Sequence, residues 1–453
     1  MRRNNQPGAA SPARACAMRH SAAVLWGILG LVALACVSIA TARTTEPEAD
    51  QTAPTEPQSP PAAASQFTAP KSDTPAEPQS AAPAELFRKG LAGKDRGDYP
   101  AAIEWWRQAA EQGEVRAMLQ LGITYQRGAT GVPQDYAQAL QWFQKAADQG
   151  HPVGQHSAGA LYRNGQGVPE NYDQAMQLFQ KAARQGNAAA QNDIGWLYKR
   201  GAGVPRDYVE AMEWFRKAAD QGNAAGQYSI GQLYRDGQGV ARDYPQAMQW
   251  FRKAADQGNT NAQLSLGGLY RNGQGAAQDY GQAMQWFRKA ADQGNAAAQY
   301  SLSLLYYYGQ GTAQDYAQSM QWARKAADQG NTNAQLSVGL MYWSARGVAQ
   351  DYGQAMQWFR KGADQGNARA QYWVGVLHQK GQGIAQDYRQ AMEWFRKAAD
   401  KGEVDAVVAV GWLYENGLGV PEDSAQAIEW YRKAAKAGSN NARQALARLG
   451  KVQ

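Results

Sequence analysis

Side chains that bind metals or act as nucleophiles are scarce in this chain of 453 residues. Its two cysteines, Cys16 and Cys36, leave residues 37–453 without a disulfide, a thiolate metal ligand or a cysteine nucleophile. The four histidines are too few and too scattered for a usual zinc or di-iron site; they are His20, His151, His156 and His378. We therefore predict no metal and no cofactor, and we expect His151 and His156 to be surface residues.

Sequence motifs of catalysis are missing as well. No Gly-x-Ser-x-Gly nucleophile elbow occurs, and no serine is followed by lysine three residues later, as penicillin-recognising enzymes require. The recurring Gly-Gln-Gly, as at residues 237–239, lacks the third glycine and the lysine of a phosphate-binding loop. The sequence thus predicts no catalytic residues, and the chain is not expected to be an enzyme.

The net charge of +7 does not indicate a nucleic-acid partner. Residues 1–43 carry five arginines and no acid, and residues 44–83 carry one lysine and six acids. The remaining 370 residues carry 40 basic and 33 acidic side chains, which is an ordinary balance for solubility. We therefore expect no binding of nucleic acid.

Residues 21–41 carry no charge and follow four arginines. About 20 apolar residues span a bilayer, and the positive-inside rule keeps the basic residues 1–20 in the cytoplasm. Residues 21–42 are thus predicted to be a transmembrane anchor or, with the small-x-small pattern ending at Ala42 as a cleavage site, a signal peptide. Lipidation at Cys36 is a third alternative. Each alternative exports the rest of the chain across the bacterial inner membrane, either as an anchored periplasmic body or as a released protein.

Residues 43–83 are rich in proline, alanine, serine and threonine, and Phe67 is their one large apolar side chain. Such a composition cannot bury enough apolar surface to offset the entropy of ordering the backbone. We predict a disordered, partly extended linker between the membrane segment and a folded body.

Tryptophan recurs every 36 residues from Trp142 to Trp430, with Leu178 at the one position that lacks it. Trp105 precedes Trp142 by 37 residues, and the additional residue lies in the loop that follows Gly128. A fixed period of this length indicates tandem repeats.

Each repeat unit is predicted to contain two helices. The second helix begins with an N-cap residue followed three residues later by Glu or Gln, as at Asp207 and Glu210, and it ends at a glycine. The first helix carries a glycine at its middle, as at Gly195, which only Ser303 replaces. Since glycine inside a helix costs about 1 kcal/mol relative to alanine, we expect it to mark a close approach by the backbone of the neighbouring helix.

The units share the pattern A-x-x-x-L-G-x-x-Y-x-x-G-x-G-V-x-x-D-x-x-x-A-x-x-W-x-x-K-A-A-x-x-G. This pattern resembles the Sel-1-like repeat, a relative of the tetratricopeptide repeat, and covers residues 114–438 as nine units. Residues 84–113 look like a plain tetratricopeptide hairpin that caps the N-terminus, and residues 439–453 like a closing helix. The expected fold is all-α, a right-handed α-solenoid of tandem 36-residue helix-turn-helix repeats. Individual units depart from the pattern at Leu178, Ala345, Gly362, His378 and Ser424.

The repeated tryptophans share a helix face with repeated alanines, which is typical of core residues. The predicted core tryptophans are Trp105, Trp142, Trp214, Trp250, Trp286, Trp322, Trp358, Trp394 and Trp430.

Positions on the first helix opposite the core vary from unit to unit, and in tetratricopeptide-type superhelices they line a concave groove. Exposed aromatic residues beside arginine are typical of protein-binding surfaces. The predicted partner-binding residues of this groove are Trp196, Arg200, Leu304, Tyr308, Leu340, Trp373, Val376, Lys380 and Trp412.

The resemblance implies an adaptor role, so we predict a non-catalytic scaffold that binds partner proteins in the bacterial cell envelope. One alternative is a module that binds cell-wall glycan or exported polysaccharide through the aromatic groove. A second alternative is an envelope hydrolase, because some cysteine-rich relatives of this repeat family carry a beta-lactamase label. Those relatives have a disulfide in each unit, which the present units lack.

Overall fold

A computed structural model of the chain describes residues 82–450, which form 21 helices. The predicted cytoplasmic segment 1–20, the membrane segment 21–42 and nearly all of the linker 43–83 lie outside the described residues. None of the described helices is long and apolar enough to span a bilayer. Each helix packs chiefly against the helices that precede and follow it in sequence, so the repeat region is an all-α solenoid.

Each repeat unit consists of an A helix followed by a B helix, and one further helix, α21 (Asn440–Leu449), closes the array. The A helices are α1 (Pro83–Asp95), α3 (Val115–Arg127), α5 (Pro152–Asn164), α7 (Ala188–Arg200), α9 (Ala224–Asp236), α11 (Thr260–Asn272), α13 (Ala296–Tyr308), α15 (Thr332–Ser344), α17 (Ala368–Lys380) and α19 (Val404–Glu415). The B helices are α2 (Tyr99–Glu111), α4 (Tyr136–Asp148), α6 (Tyr172–Arg184), α8 (Tyr208–Asp220), α10 (Tyr244–Asp256), α12 (Tyr280–Asp292), α14 (Tyr316–Asp328), α16 (Tyr352–Asp364), α18 (Tyr388–Asp400) and α20 (Ser424–Lys436).

Side-chain caps fix where the helices begin. The Asp243 carboxylate accepts a hydrogen bond from the backbone N–H of Gln246 at 2.9 Å, as its position before α10 predicts. The A helices have caps that we did not predict: the Asn187 side chain accepts from the backbone N–H of Ala190 at 2.8 Å. Both helices of a unit thus begin at residues that satisfy otherwise unpaired backbone donors.

Residues in the left-handed conformation end seven of the ten described A helices. Gly201, for example, follows α7 with φ of 70°. At the equivalent position after α15, Ala345 takes the same conformation with φ of 56° and is the one non-glycine residue within 82–450 that has positive φ. This departure from the repeat pattern therefore preserves the turn, at a steric cost of about 1–2 kcal/mol.

The deepest core position of a unit is the phenylalanine that follows the repeated tryptophan in the B helix. Phe215 and Phe251 are fully buried and lie against the mid-helix glycines Gly195 and Gly231. A Cβ atom on Gly231 would lie 2.5 Å from the Phe251 ring. The predicted close approach at these glycines is confirmed, but the approaching group is a phenylalanine ring and not mainly the helix backbone.

The unit formed by α13 and α14 exchanges the sizes of these two residues. Ser303 replaces the glycine and Ala323 replaces the phenylalanine, and both are buried. The larger residue on the A helix is thus matched by a smaller residue on the B helix, which preserves close packing.

The repeated tryptophans are less uniformly buried than predicted. Trp142, Trp286, Trp322 and Trp358 are buried, at 3% to 9% exposure, whereas Trp105, Trp214, Trp250, Trp394 and Trp430 are half-buried. These five lie at the margin of the core, where Trp105, Trp214 and Trp250 pack against clusters of buried residues. In eight units the lysine three residues later covers the ring, as Lys217 does over Trp214 at 3.9 Å from its centroid. In the first unit, formed by α1 and α2, Trp106 takes the place of the buried phenylalanine, and Trp105 is the repeated tryptophan.

Glutamines connect successive units across the core. Gln263 in α11 is buried, and its amide nitrogen donates to the carbonyl oxygen of Ala255 in the preceding B helix at 3.1 Å. Its side-chain oxygen accepts from Gln293, which follows α12, at 2.8 Å. The same pair of bonds recurs in the neighbouring units, so a line of amides fixes how one unit sits on the next.

We expect the substitutions Ser303→Gly and Ala323→Phe to be strongly coupled. Ala323→Phe alone should bring the new ring against the Ser303 side chain and cost about 1–3 kcal/mol of unfolding free energy. Ser303→Gly alone should cost about 0.5 kcal/mol through helix propensity. The double variant restores the glycine–phenylalanine pair of the other units. Its loss of unfolding free energy should therefore be smaller than the sum of the two single-variant losses by about 1 kcal/mol or more. Urea denaturation of the full-length chain and its three variants measures the coupling, and additive losses would contradict the steric pairing.

Candidate partner-binding face

The A helices present a row of side chains on the side opposite their core residues. We define the A face as the A-helix positions equivalent to 193, 196, 199 and 200, one set in each unit. Side chains of consecutive A helices contact each other along this face: the Lys199 ammonium donates to the Gln232 side-chain oxygen at 2.8 Å. The A face is therefore one connected surface and not a series of separate patches.

Seven of the nine predicted groove residues are accessible to solvent. Arg200 and Lys380 are exposed, and Trp196, Leu304, Tyr308, Leu340 and Trp412 are half-buried. Whether they contact a partner stays a prediction.

The expectation that Trp373 and Val376 are accessible is wrong, since each is only 6% exposed. The Trp373 ring stacks on Phe359 of the preceding B helix, with centroids 5.7 Å apart, and its other contacts include Trp343 of the preceding A helix at 4.9 Å. Trp373 thus fills space between two units. In the unit formed by α17 and α18 this position contributes to the core.

Two guanidinium groups contact the ring of Trp196. Arg163 from the preceding A helix and Arg200 from its own helix each lie 5.2 Å from the centre of the Trp196 ring. Cation–π contacts of this kind orient the ring while leaving part of it accessible. Trp196 is therefore ordered in the absence of a partner.

A carboxylate pairs with two basic side chains beside Trp196. Asp193 lies 2.8 Å from Nη1 of Arg163 and 2.9 Å from Nε2 of His156. Burial favours the neutral acid, but the Arg163 charge and the His156 hydrogen bond outweigh it and hold the pKa of Asp193 below its ordinary value. His156, predicted to be a surface residue, is half-buried and takes part in this contact between units.

The sequence analysis missed the position equivalent to 199, which reads Arg163, Lys199, Arg235, Arg271, Tyr307 and Trp343 from α5 to α15. All six side chains are half-buried. On a helical wheel this position lies about 60° from position 196, so a wider search of the outward face would have found it.

No chemistry beyond binding is indicated by these groups. Within residues 82–450 no cluster of three or more His, Cys, Asp or Glu side chains could hold a metal ion. The A face offers aromatic rings, aliphatic groups and cations beside a few carboxylates and hydroxyls, a mixture that suits molecular recognition.

An arginine–tyrosine contact joins neighbouring units. Arg252 and Arg288 in B helices donate to the hydroxyls of Tyr270 and Tyr306 in the following A helices, each at 2.5 Å. In α17 the tyrosine is replaced by His378, which is 4% exposed and has no hydrogen-bond partner for either ring nitrogen in the described part of the chain. Burial, together with the nearby charge of Arg360, lowers the pKa of His378.

We expect His378→Tyr to reduce the acid sensitivity of the repeat array. Because the folded-state pKa of His378 is lowered, the unfolded chain binds this proton first as the pH falls. The stability that the neutral imidazole contributes is complete above about pH 6.5 and is lost as the pH falls towards the folded-state pKa, by at most about 1.4 kcal/mol per pH unit.

Urea denaturation at pH 8 and at pH 5 checks this expectation. The wild-type chain should lose more unfolding free energy between the two pH values than His378→Tyr, which places a hydroxyl within the arginine–tyrosine arrangement of the other units. Equal losses of unfolding free energy in both proteins would show that protonation of His378 does not destabilise the folded state.

Comparison with known proteins identifies the repeats. The family model described as Sel1 repeat matches ten consecutive stretches, which run from residue 82 to residue 439. The first match, residues 82–114, is the hairpin that we expected to be a plain tetratricopeptide cap, so the chain has ten repeats of this family and not nine.

Two solved structures are similar to the chain. A Sel1 repeat protein from Oxalobacter formigenes is 35% identical, with 68% of this chain and 90% of that chain covered and a TM-score of 0.52. A protective antigen of uropathogenic Escherichia coli strains that displays an SLR fold is 33% identical, with 83% of this chain and 91% of that chain covered and a TM-score of 0.46. No curated protein matches the chain.

The repeats matched by the family model cover most of the chain. Proteins built from Sel1 repeats are generally protein-interaction scaffolds, and their fold is typically non-catalytic. With ten consecutive matching repeats and a Sel1 repeat protein of 35% identity among its relatives, the chain belongs to the Sel1 repeat family.

Proposed function

We propose that this chain is a non-catalytic scaffold that binds partner proteins on the A face, and that it does so in the bacterial cell envelope. The observation that carries the binding proposal is the contrast between neighbouring positions of one helix. The mid-helix glycine recurs in all but one unit, whereas the next residue differs almost everywhere. From α3 to α19 that residue is Ile123, Ala160, Trp196, Gln232, Gly268, Leu304, Leu340, Val376 and Trp412.

The physical state of the A face suits recognition of a protein. Aromatic side chains on it are held by contacts within the chain, as Trp196 is by Arg163 and Arg200. A partner that binds such side chains loses less conformational entropy on association than one that must order them. Aromatic and arginine side chains are also the residue types that most often dominate binding free energy at protein interfaces.

The envelope location is supported by the sequence alone. The uncharged stretch 21–41 after four arginines is long enough to span a bilayer or to direct export. The proline-rich residues 43–83 would then separate the repeats from the membrane.

The proposal is tested by photocrosslinking in intact cells of the native organism. A photoreactive phenylalanine analogue replaces Leu340, which is half-buried on the A face, in the full-length chain. The matched control carries the analogue at Gln249, which is exposed on B helix α10. We expect discrete covalent adducts with one or a few proteins from position 340, none from position 249, and recovery of the adducts with the envelope fraction.

Each part of the proposal can fail separately. Adducts that form equally from positions 340 and 249, or from position 249 alone, would contradict binding on the A face. Adducts from position 340 that are recovered in the cytosol would contradict the envelope location and leave the binding face intact.

A further inference from the structure

Four cations lie at one A-face position in four consecutive units. We call this set the cation ladder: Arg163 in α5, Lys199 in α7, Arg235 in α9 and Arg271 in α11. All four are half-buried. The four helices together carry five basic and two acidic residues, since Arg200 adds to the ladder and only Asp193 and Asp236 oppose it. This part of the A face therefore has an excess of positive charge.

Only alternate members of the cation ladder are paired with a carboxylate. Arg163 lies 2.8 Å from Asp193, and Arg235 lies 2.8 Å from Asp236. Lys199 and Arg271 have no carboxylate within ion-pair distance in the described part of the chain. The Lys199 ammonium donates to the Gln232 side-chain oxygen at 2.8 Å, and Nε of Arg271 donates to the Asn272 side-chain oxygen at 3.2 Å.

The two cations without a carboxylate are held in partly dehydrated surroundings. Burial lowers the pKa of both Lys199 and Arg271, so each charge loses solvation that no ion pair replaces. A carboxylate brought by a partner would restore the missing interaction, and charge-assisted hydrogen bonds to such groups are stronger than neutral ones. Lys199 and Arg271 are therefore the positions at which a bound carboxylate would form the most favourable new interactions.

The distance between neighbouring units determines how far apart the anionic groups of a bound partner must lie. Consecutive A helices contact each other through side chains such as Lys199 and Gln232, and helices in contact lie about 8–10 Å apart. An extended or polyproline-type chain advances roughly 3.1–3.4 Å per residue. Consecutive members of the cation ladder thus correspond to about every third residue of an extended chain. In a polyproline helix, which has three residues per turn, such residues share one face.

From these contacts we infer that the cation ladder binds an extended acidic segment of a partner protein, with carboxylates at about every third residue. The inference deepens the proposed function and rests on it. A polypeptide fits better than a nucleic acid or an acidic polysaccharide because the carboxylates Asp193 and Asp236 lie among the four cations. They would repel a polymer that is charged at every monomer, whereas a peptide can place neutral residues beside them.

Fluorescence anisotropy with the full-length chain tests the inference. The probe is a labelled synthetic peptide of four Glu-Pro-Ala triplets, and its control peptide has Gln in place of Glu. We expect the Glu peptide to bind, with affinity that falls as ionic strength rises, and the Gln peptide not to bind. The double variant Lys199→Gln with Arg271→Gln should weaken binding by about tenfold or more.

Two further variants separate charge from folding. Lys181→Gln with Arg216→Gln removes one lysine and one arginine that are exposed on B helices, and it should change the affinity by less than about twofold. The exchange Lys199→Arg with Arg271→Lys keeps both charges and should retain most of the binding. An equal loss in the charge-keeping exchange would assign the effect to misfolding and overturn the inference.

The other results of these binding experiments also test the inference. Absence of measurable peptide binding, or equal binding of the Glu and Gln peptides, would overturn the acidic-segment inference. Tighter binding of polygalacturonate or of a single-stranded oligonucleotide than of the peptide would assign the ladder to another class of polymer. If crosslinks from position 340 persist while the peptide does not bind, the proposed scaffold function stands and only the inferred partner chemistry fails.

Discussion

The contact between a B-helix phenylalanine and an A-helix glycine determines how closely the two helices of a unit pack. The Phe251 ring occupies the space that a side chain at position 231 would need, so neither residue can change alone without loss of packing. Units at the ends keep the contact with another aromatic ring, as Trp106 does against Gly90 and Tyr431 against Gly411. Where the A helix carries Ser303, the opposing ring is absent and Ala323 takes its place. A large residue on one helix thus faces a small residue on the other, and where the A-helix residue is larger the B-helix residue is smaller.

Because the contact between phenylalanine and glycine uses inward positions, it leaves the outward positions of the A helices free to vary. Gln263 likewise joins two units from inside the core. Trp196 and Lys199 do contact the neighbouring A helices, through Arg163 and Gln232, but both remain partly accessible to solvent. The proposed function is assigned to this face because its accessible positions differ from unit to unit.

Features that depend on residues within one unit could be predicted from the sequence. The cap at Asp243 and the close approach at Gly231 each involve partners fewer than 25 residues away, inside one repeat period. Features that depend on the neighbouring unit could not. Trp373 is buried because Trp343 and Phe359 of the preceding unit surround it, and Asp193 is paired because His156 lies one unit earlier. The variable depth of the repeated tryptophans has the same origin, since their local sequence is nearly constant.

The most direct measurement of the central claim is a hydroxyl-radical footprint of the full-length chain with and without a purified native partner. Half-buried tryptophans occur on both sides of the array, which provides an internal comparison: Trp196, Trp343 and Trp412 on the A helices, and Trp214, Trp250 and Trp394 on the B helices. We predict that the partner lowers the oxidation of A-helix tryptophans and leaves that of B-helix tryptophans unchanged. Protection confined to the B-helix tryptophans would contradict binding on the A face.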